Sequence, residues 1–141
     1  MNILVLDDEP AVLWAFAQIF SGTHATVYTA RNGVEGLAIV GKRKIALIFC
    51  DVHMPVMSGI KFAYRLREDP ATVDLPLVLM SGNRTADDEQ ALMECRAMDL
   101  IGKPLETALI RSLAAEIEKR QHARVQEPIS EAKRLRILLR Q

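Results

Sequence analysis

Ile45-Ala46-Leu47-Ile48-Phe49-Cys50-Asp51 is an apolar run that stops on a carboxylate, and Val52-His53-Met54-Pro55-Val56-Met57-Ser58-Gly59 follows it. A short continuous apolar run bounded by turn signals reads as a strand buried on both faces. The Pro/Gly loop behind it presents Asp51 at a sheet edge. Alone, this is an ordinary strand exit, because Asp is a common turn residue. Three other apolar runs change that reading. Ile3-Leu4-Val5-Leu6 leads into Asp7-Asp8-Glu9, Leu77-Val78-Leu79-Met80 into Ser81-Gly82, and Leu100-Ile101-Gly102 into Lys103-Pro104.

Apolar runs alternate with amphipathic stretches along the chain. Strands are expected at 2–6, 25–29, 45–50, 76–80 and 98–101. Such alternation argues for βα units and a parallel sheet covered on both faces. The first helix is expected from Pro10, with Val12, Leu13, Phe16, Ile19 and Phe20 as its apolar stripe. Asn32 is placed to cap the second helix, with Glu35 as its capping-box partner. The third follows Gly59 and shows Phe62, Ala63 and Leu66. The fourth begins near Thr85, with Asp87, Asp88 and Glu89 favoured there by the helix dipole. The fifth shows Leu109, Ile110, Leu113, Ala114 and Ile117 on one face. Trp14 and the methionines read as packing residues. Cys50 and Cys95 read as reduced core thiols, since two cysteines make no disulfide framework.

The chain has 141 residues, half of them apolar, which fits one folded domain with a real core. No stretch approaches the length of a membrane span, and the early acids exclude a signal peptide, so a cytoplasmic location is expected. The formal net charge of zero hides an asymmetry. Residues 1–118 carry 11 Lys/Arg against 16 Asp/Glu, a net of −5, whereas residues 119–141 carry seven against two, a net of +5. The division expected is a domain over 1–120 and a basic linker or C-terminal helix over 121–141, leading to any output domain beyond it. Ile129, Ala132, Leu135, Leu138 and Leu139 would line one side of such a helix. This tail is read as a solvated helix or a helical dimer contact, with no nucleic-acid or membrane contact.

Over roughly residues 1–120, the acidic pair, the Asp with Pro four and Gly eight residues later, the Ser-Gly and the Lys-Pro resemble the receiver domain of two-component response regulators. The resemblance implies a flavodoxin-like α/β fold: a five-stranded parallel sheet in the order 2-1-3-4-5 with helices on both faces. It implies phosphorylation of Asp51 by a sensor histidine kinase or phosphotransfer protein, with Mg²⁺ held by Asp7, Asp8, Asp51 and the backbone carbonyl of His53. Ser81 and Lys103 would contact the phosphoryl group, Pro104 would hold Lys103 through a cis peptide, and the His53 side chain would influence dephosphorylation. Beyond its own phosphorylation and dephosphorylation, such a chain is not an enzyme. The physical chemistry agrees. Converging carboxylates need a hard cation with oxygen ligands, a carboxylate is a competent nucleophile toward phosphorus, and Lys103 supplies a compact positive charge.

Leu100 departs from the family pattern. Receivers usually carry Tyr or Phe three residues before the lysine, and that ring moves inward on phosphorylation. A muted switch is therefore expected, with output through a phosphorylation-favoured homodimer on the face of the fourth helix, fifth strand and fifth helix. Three rivals stand beside this reading. A haloacid-dehalogenase-like phosphatase would carry Asp-x-Asp on its first strand, where this chain has adjacent Asp7-Asp8. A flavodoxin-like cofactor carrier would need a phosphate-cradling loop there, and the acids repel phosphate. A degenerate receiver would act only as a protein-binding module.

Overall fold

In a computed structural model, residues 1–126, 135–136 and 138–140 are described. Five parallel strands, β1 (Asn2–Leu6), β2 (Thr26–Ala30), β3 (Leu47–Asp51), β4 (Leu77–Ser81) and β5 (Asp99–Gly102), form one sheet in the order β2-β1-β3-β4-β5. Five helices alternate with them: α1 (Pro10–Ile19), α2 (Gly33–Lys42), α3 (Gly59–Glu68), α4 (Ala86–Glu94) and α5 (Thr107–Gln126). The expected architecture and order are both present.

Side-chain alternation along the strands divides the core into two layers. Leu4, Leu6, Ile48, Cys50, Leu77, Leu79 and Leu100 pack with α2, α3 and α4 on one face. Ile3, Val5, Leu47, Phe49, Val78, Met80 and Ile101 pack with α1 and α5 on the other, where the Phe16 and Phe49 rings lie 5.0 Å apart. Burial on both sides explains the unbroken apolar runs.

Four of the strands start and end one or two residues later than the apolar runs suggest. Asp51 and Ser81 belong to β3 and β4 because the ladder is made by backbone groups, which are indifferent to side-chain polarity. The helix caps follow local chemistry. Asn32 Oδ1 accepts from the Glu35 N–H at 3.0 Å, but the Glu35 carboxylate reaches back to the Arg31 N–H, one residue beyond the capping-box position. Ser58 caps α3 through the Lys61 N–H.

Several expectations need correction. Trp14 lies on the outer side of α1, 66% exposed, because Phe16 and Ile19 occupy the stripe that meets the sheet. Met93 is likewise exposed. Leu109 faces outward, since Ile110, Ala114 and Ile117 already fill the buried face of α5. That helix also continues unbroken through 121–126. Ile129 and Ala132, and with them the full stripe proposed for the tail, fall outside the described residues; Leu135, Leu138 and Leu139 are exposed. Cys50 and Cys95 are free and buried, as expected.

Candidate functional site

Parallel register carries the four motifs to one edge of the sheet. Leu6 pairs with Cys50, so Asp7 and Asp51 leave adjacent strands side by side, and Ser81 pairs with Gly102, immediately before Lys103. Asp7, Asp8 and Asp51 each offer a carboxylate oxygen, all within 4.8 Å of one another. Asp7 and Asp51 are buried and Asp8 is exposed. The Lys103–Pro104 peptide is cis. The Lys103 ammonium lies 2.8 Å from Asp7 Oδ2, 3.2 Å from Glu9 Oε1 and 3.7 Å from Asp51 Oδ1. The buried Asp7 Oδ2 has this ammonium beside it as its ion-pair partner.

The electrostatics follow from this crowding. Burial first, and the neighbouring Asp7 second, raise the Asp51 carboxyl pKa to about 6; Lys103 and the His53 backbone N–H pull the other way without prevailing. Burial also pulls the Lys103 ammonium down, but Asp7, Asp51 and Glu9 outweigh it and hold its pKa above the ordinary lysine value. Four acids, Asp7, Asp8, Glu9 and Asp51, against one lysine leave an excess of negative charge.

The loop after Asp51 is tightly built. The Met57 N–H donates to the Pro55 carbonyl at 2.7 Å around Val56, whose φ is 67°. This is a γ-turn in the left-handed region, an uncommon conformation for a β-branched residue. Gly59 begins α3 so close to β3 that a Cβ there would lie 1.9 Å from the Asp51 carbonyl oxygen. The His53 ring is largely exposed and turns toward α4, its Nε2 lying 4.0 Å from Asp88 Oδ1.

Sequence reasoning missed two residues. Glu9 has no assigned role in the sequence reading, yet it is an ion-pair partner of Lys103. Asp88 is expected only as a dipole-favoured acid at the start of the fourth helix, yet it is almost fully buried and accepts from Ser81 Oγ at 3.0 Å. The signal that could have found it is Thr85-Ala86-Asp87-Asp88, a capping-box spacing that turns the fourth residue back toward the helix start.

A family model described as the response regulator receiver domain matches residues 3–115. The chain belongs to that family. It is 31% identical over 111 residues to a probable cyclic di-GMP phosphodiesterase of Vibrio cholerae, covering 79% of this chain and 25% of that protein. It is 32% identical over 120 residues to the sensor histidine kinase RcsC of Salmonella typhi, covering 84% and 12% respectively. This receiver thus spans a quarter or less of those two relatives. The receiver domain of a signal transduction histidine kinase from Syntrophus aciditrophicus superimposes with a TM-score of 0.74 at 28% identity, over 92% of this chain and 95% of that one. Receiver domains of two-component systems are therefore its homologues. Among the described residues, no helix is long and apolar enough to cross a membrane.

Proposed function

We propose that this receiver accepts a phosphoryl group on Asp51, with Mg²⁺, from a histidine kinase or phosphotransfer protein. The observation that carries the reading is the setting of Asp51, a buried strand-end carboxylate held up to about 6 beside Asp7 and Asp8, with Lys103 Nζ 3.7 Å away. A perturbed carboxylate within an acidic cluster at one end of a parallel sheet is the expected signature of a reactive site.

The donor set fits a hard divalent cation. Three carboxylates converge with oxygens within 4.8 Å of one another, Asp7 and Asp51 buried, and one ammonium does not balance their charge. Asp7, Asp8, Asp51 and the His53 backbone carbonyl would hold Mg²⁺, which when bound would neutralise charge on the carboxylates and the incoming phosphoryl group. An Asp51 oxygen then attacks phosphorus. The bond from phosphorus to the donor imidazole nitrogen breaks as the Asp51 acyl phosphate forms. Lys103 pairs with the phosphoryl oxygens, and the Ser81 hydroxyl donates a hydrogen bond to them.

Acetyl phosphate and Mg²⁺ are expected to add one phosphoryl group to the intact chain, read by mass spectrometry. Asp51→Asn is expected to add none, and equal labelling of that variant would overturn the assignment. Catalytic turnover of a generic phosphate ester would point instead to a phosphatase.

Asp8→Ala should weaken Mg²⁺ binding by about tenfold or more, the loss of roughly 1.4 kcal/mol. Asp8 contributes one of the three clustered oxygens from an exposed position, so its removal leaves the buried structure intact. Calorimetric titration reads the change; an unaltered affinity would exclude Asp8 from the cation site.

A further inference from the structure

Leu100 stands where an aromatic switch residue is expected, and it is already buried, only 2% exposed, in the core layer beneath α4. A ring that swings inward is therefore missing, and a buried leucine holds its position. The site needs another connection to the rest of the molecule, and the hydrogen bonds around Ser81 supply it.

The Ser81 hydroxyl carries a single proton. That proton goes to Asp88 Oδ2 at 3.0 Å, while Ser81 Oγ accepts from the Asn83 N–H at 3.3 Å. The same Asp88 oxygen accepts from the Thr85 N–H at 3.2 Å, and Thr85 Oγ1 accepts from the Asp88 N–H in return. One nearly inaccessible carboxylate oxygen thus joins the end of β4 to the first turn of α4. The nearest cation candidate, the His53 ring, is 4.0 Å from the other oxygen. Hydrogen bonds are the main compensation for this buried acid, and a buried acceptor that loses one is destabilised.

We propose that Asp88 is the latch of this receiver: its carboxylate holds the Ser81 hydroxyl and the α4 start together in the unphosphorylated chain, in competition with a phosphoryl group on Asp51. The latch rests on the phosphoacceptor reading above. Ser81 has one proton and two anionic claimants. When it turns to the phosphoryl oxygens, Asp88 keeps only the Thr85 N–H at that oxygen, and the cap of α4 loosens. The chemical state of Asp51 reaches α4 through Asp88, without an aromatic residue. Asp88 is a positioning residue here, acting through Ser81.

The test is a double-mutant cycle read by the affinity of the Mg²⁺-loaded chain for beryllofluoride, a phosphoryl mimic. Asp88→Asn keeps the shape of the side chain but is a weaker acceptor. It is expected to raise affinity about tenfold, within the range of one hydrogen bond to a charged group. In a Ser81→Ala background the same change is expected to do nothing, because no hydroxyl remains to be released. An equal effect in both backgrounds overturns the latch and leaves Asp88 a helix cap. A second measurement needs no variant: amide hydrogen exchange of Thr85 in the unaltered chain should quicken when beryllofluoride binds. Tight beryllofluoride binding with unchanged exchange there overturns the latch alone. Failure of the unaltered chain to bind beryllofluoride overturns the phosphoacceptor reading, and the latch with it.

Discussion

Asp51→Asn is expected to leave the metal-free chain more stable than the natural one by about 1–3 kcal/mol at pH 7, while removing its capacity to be phosphorylated. The Asp51 carboxyl titrates near 6 in the folded chain, against an ordinary value of 3.8. Its folded pKa is raised, so between roughly pH 4 and 6 the folded chain holds a proton that the unfolded chain has released. Stability contributed by this group therefore falls as pH rises through that window, and the full penalty is present above it. Burial and the neighbouring Asp7 are the main causes, and a neutral amide of the same shape escapes both. Urea unfolding in a chelator should show the two chains far apart at pH 7 and converging near pH 4. Saturating Mg²⁺ should narrow the gap at pH 7, because an ion that binds only the folded natural chain stabilises it. A variant less stable than the natural chain at pH 7 in chelator would mean that the contact of Asp51 with Lys103 outweighs the burial penalty.

Gly59→Ala is expected to destabilise the chain by about 3 kcal/mol or more, in the upper range for overpacking a fixed site. The added Cβ would meet the Asp51 carbonyl oxygen at 1.9 Å, its carbonyl carbon at 2.8 Å and Cys50 Sγ at 3.0 Å. Those atoms belong to the central strand, with β1 on one side and β4 on the other, and cannot move aside. The start of α3 must retreat instead, which disturbs the packing of Phe62 and Leu66. Phosphorylation should slow as well, because the atoms displaced are those of the acceptor residue. Gly41→Ala is the matched control. It is a helical position with open space around its Cβ, where alanine is expected to gain up to about 1 kcal/mol. Unfolding midpoints of the two variants should move in opposite directions. A Gly59→Ala chain as stable as the natural one would mean that the close approach of α3 to β3 is not required.

Much of this molecule is legible along the chain because it rests on short-range patterns. The apolar runs at Ile3–Leu6, Ile45–Cys50 and Leu77–Met80 could only be strands with both faces covered, given their length and the Gly, Pro, Asp and Ser around them. The Asn32 cap is visible as a spacing, because capping is settled within a few residues. Strand ends were displaced in the reading because hydropathy stops at Asp51 and Ser81, whereas the ladder does not. Trp14 and Leu109 were misplaced because a helix offers more apolar residues than one face can bury. Which of them meets the sheet depends on neighbours remote in sequence.

What the sequence by itself determined is the set of groups and their carriers: Asp7, Asp8, Asp51, Ser81 and Lys103 on the carboxyl ends of strands in an alternating α/β chain. Covalent order and hydropathy suffice for that, since parallel strands of one sheet necessarily share an end. Only the tertiary structure decided how these groups spend their charges and protons. Lys103 is shared among Asp7, Glu9 and Asp51, the Asp51 carboxyl is lifted to about 6, and the Ser81 proton rests on Asp88. Each of these depends on distances of 3–4 Å between residues up to 94 positions apart, and on water being excluded around them. Burial and Coulomb interaction are properties of the assembled site, and no residue carries them in its local sequence.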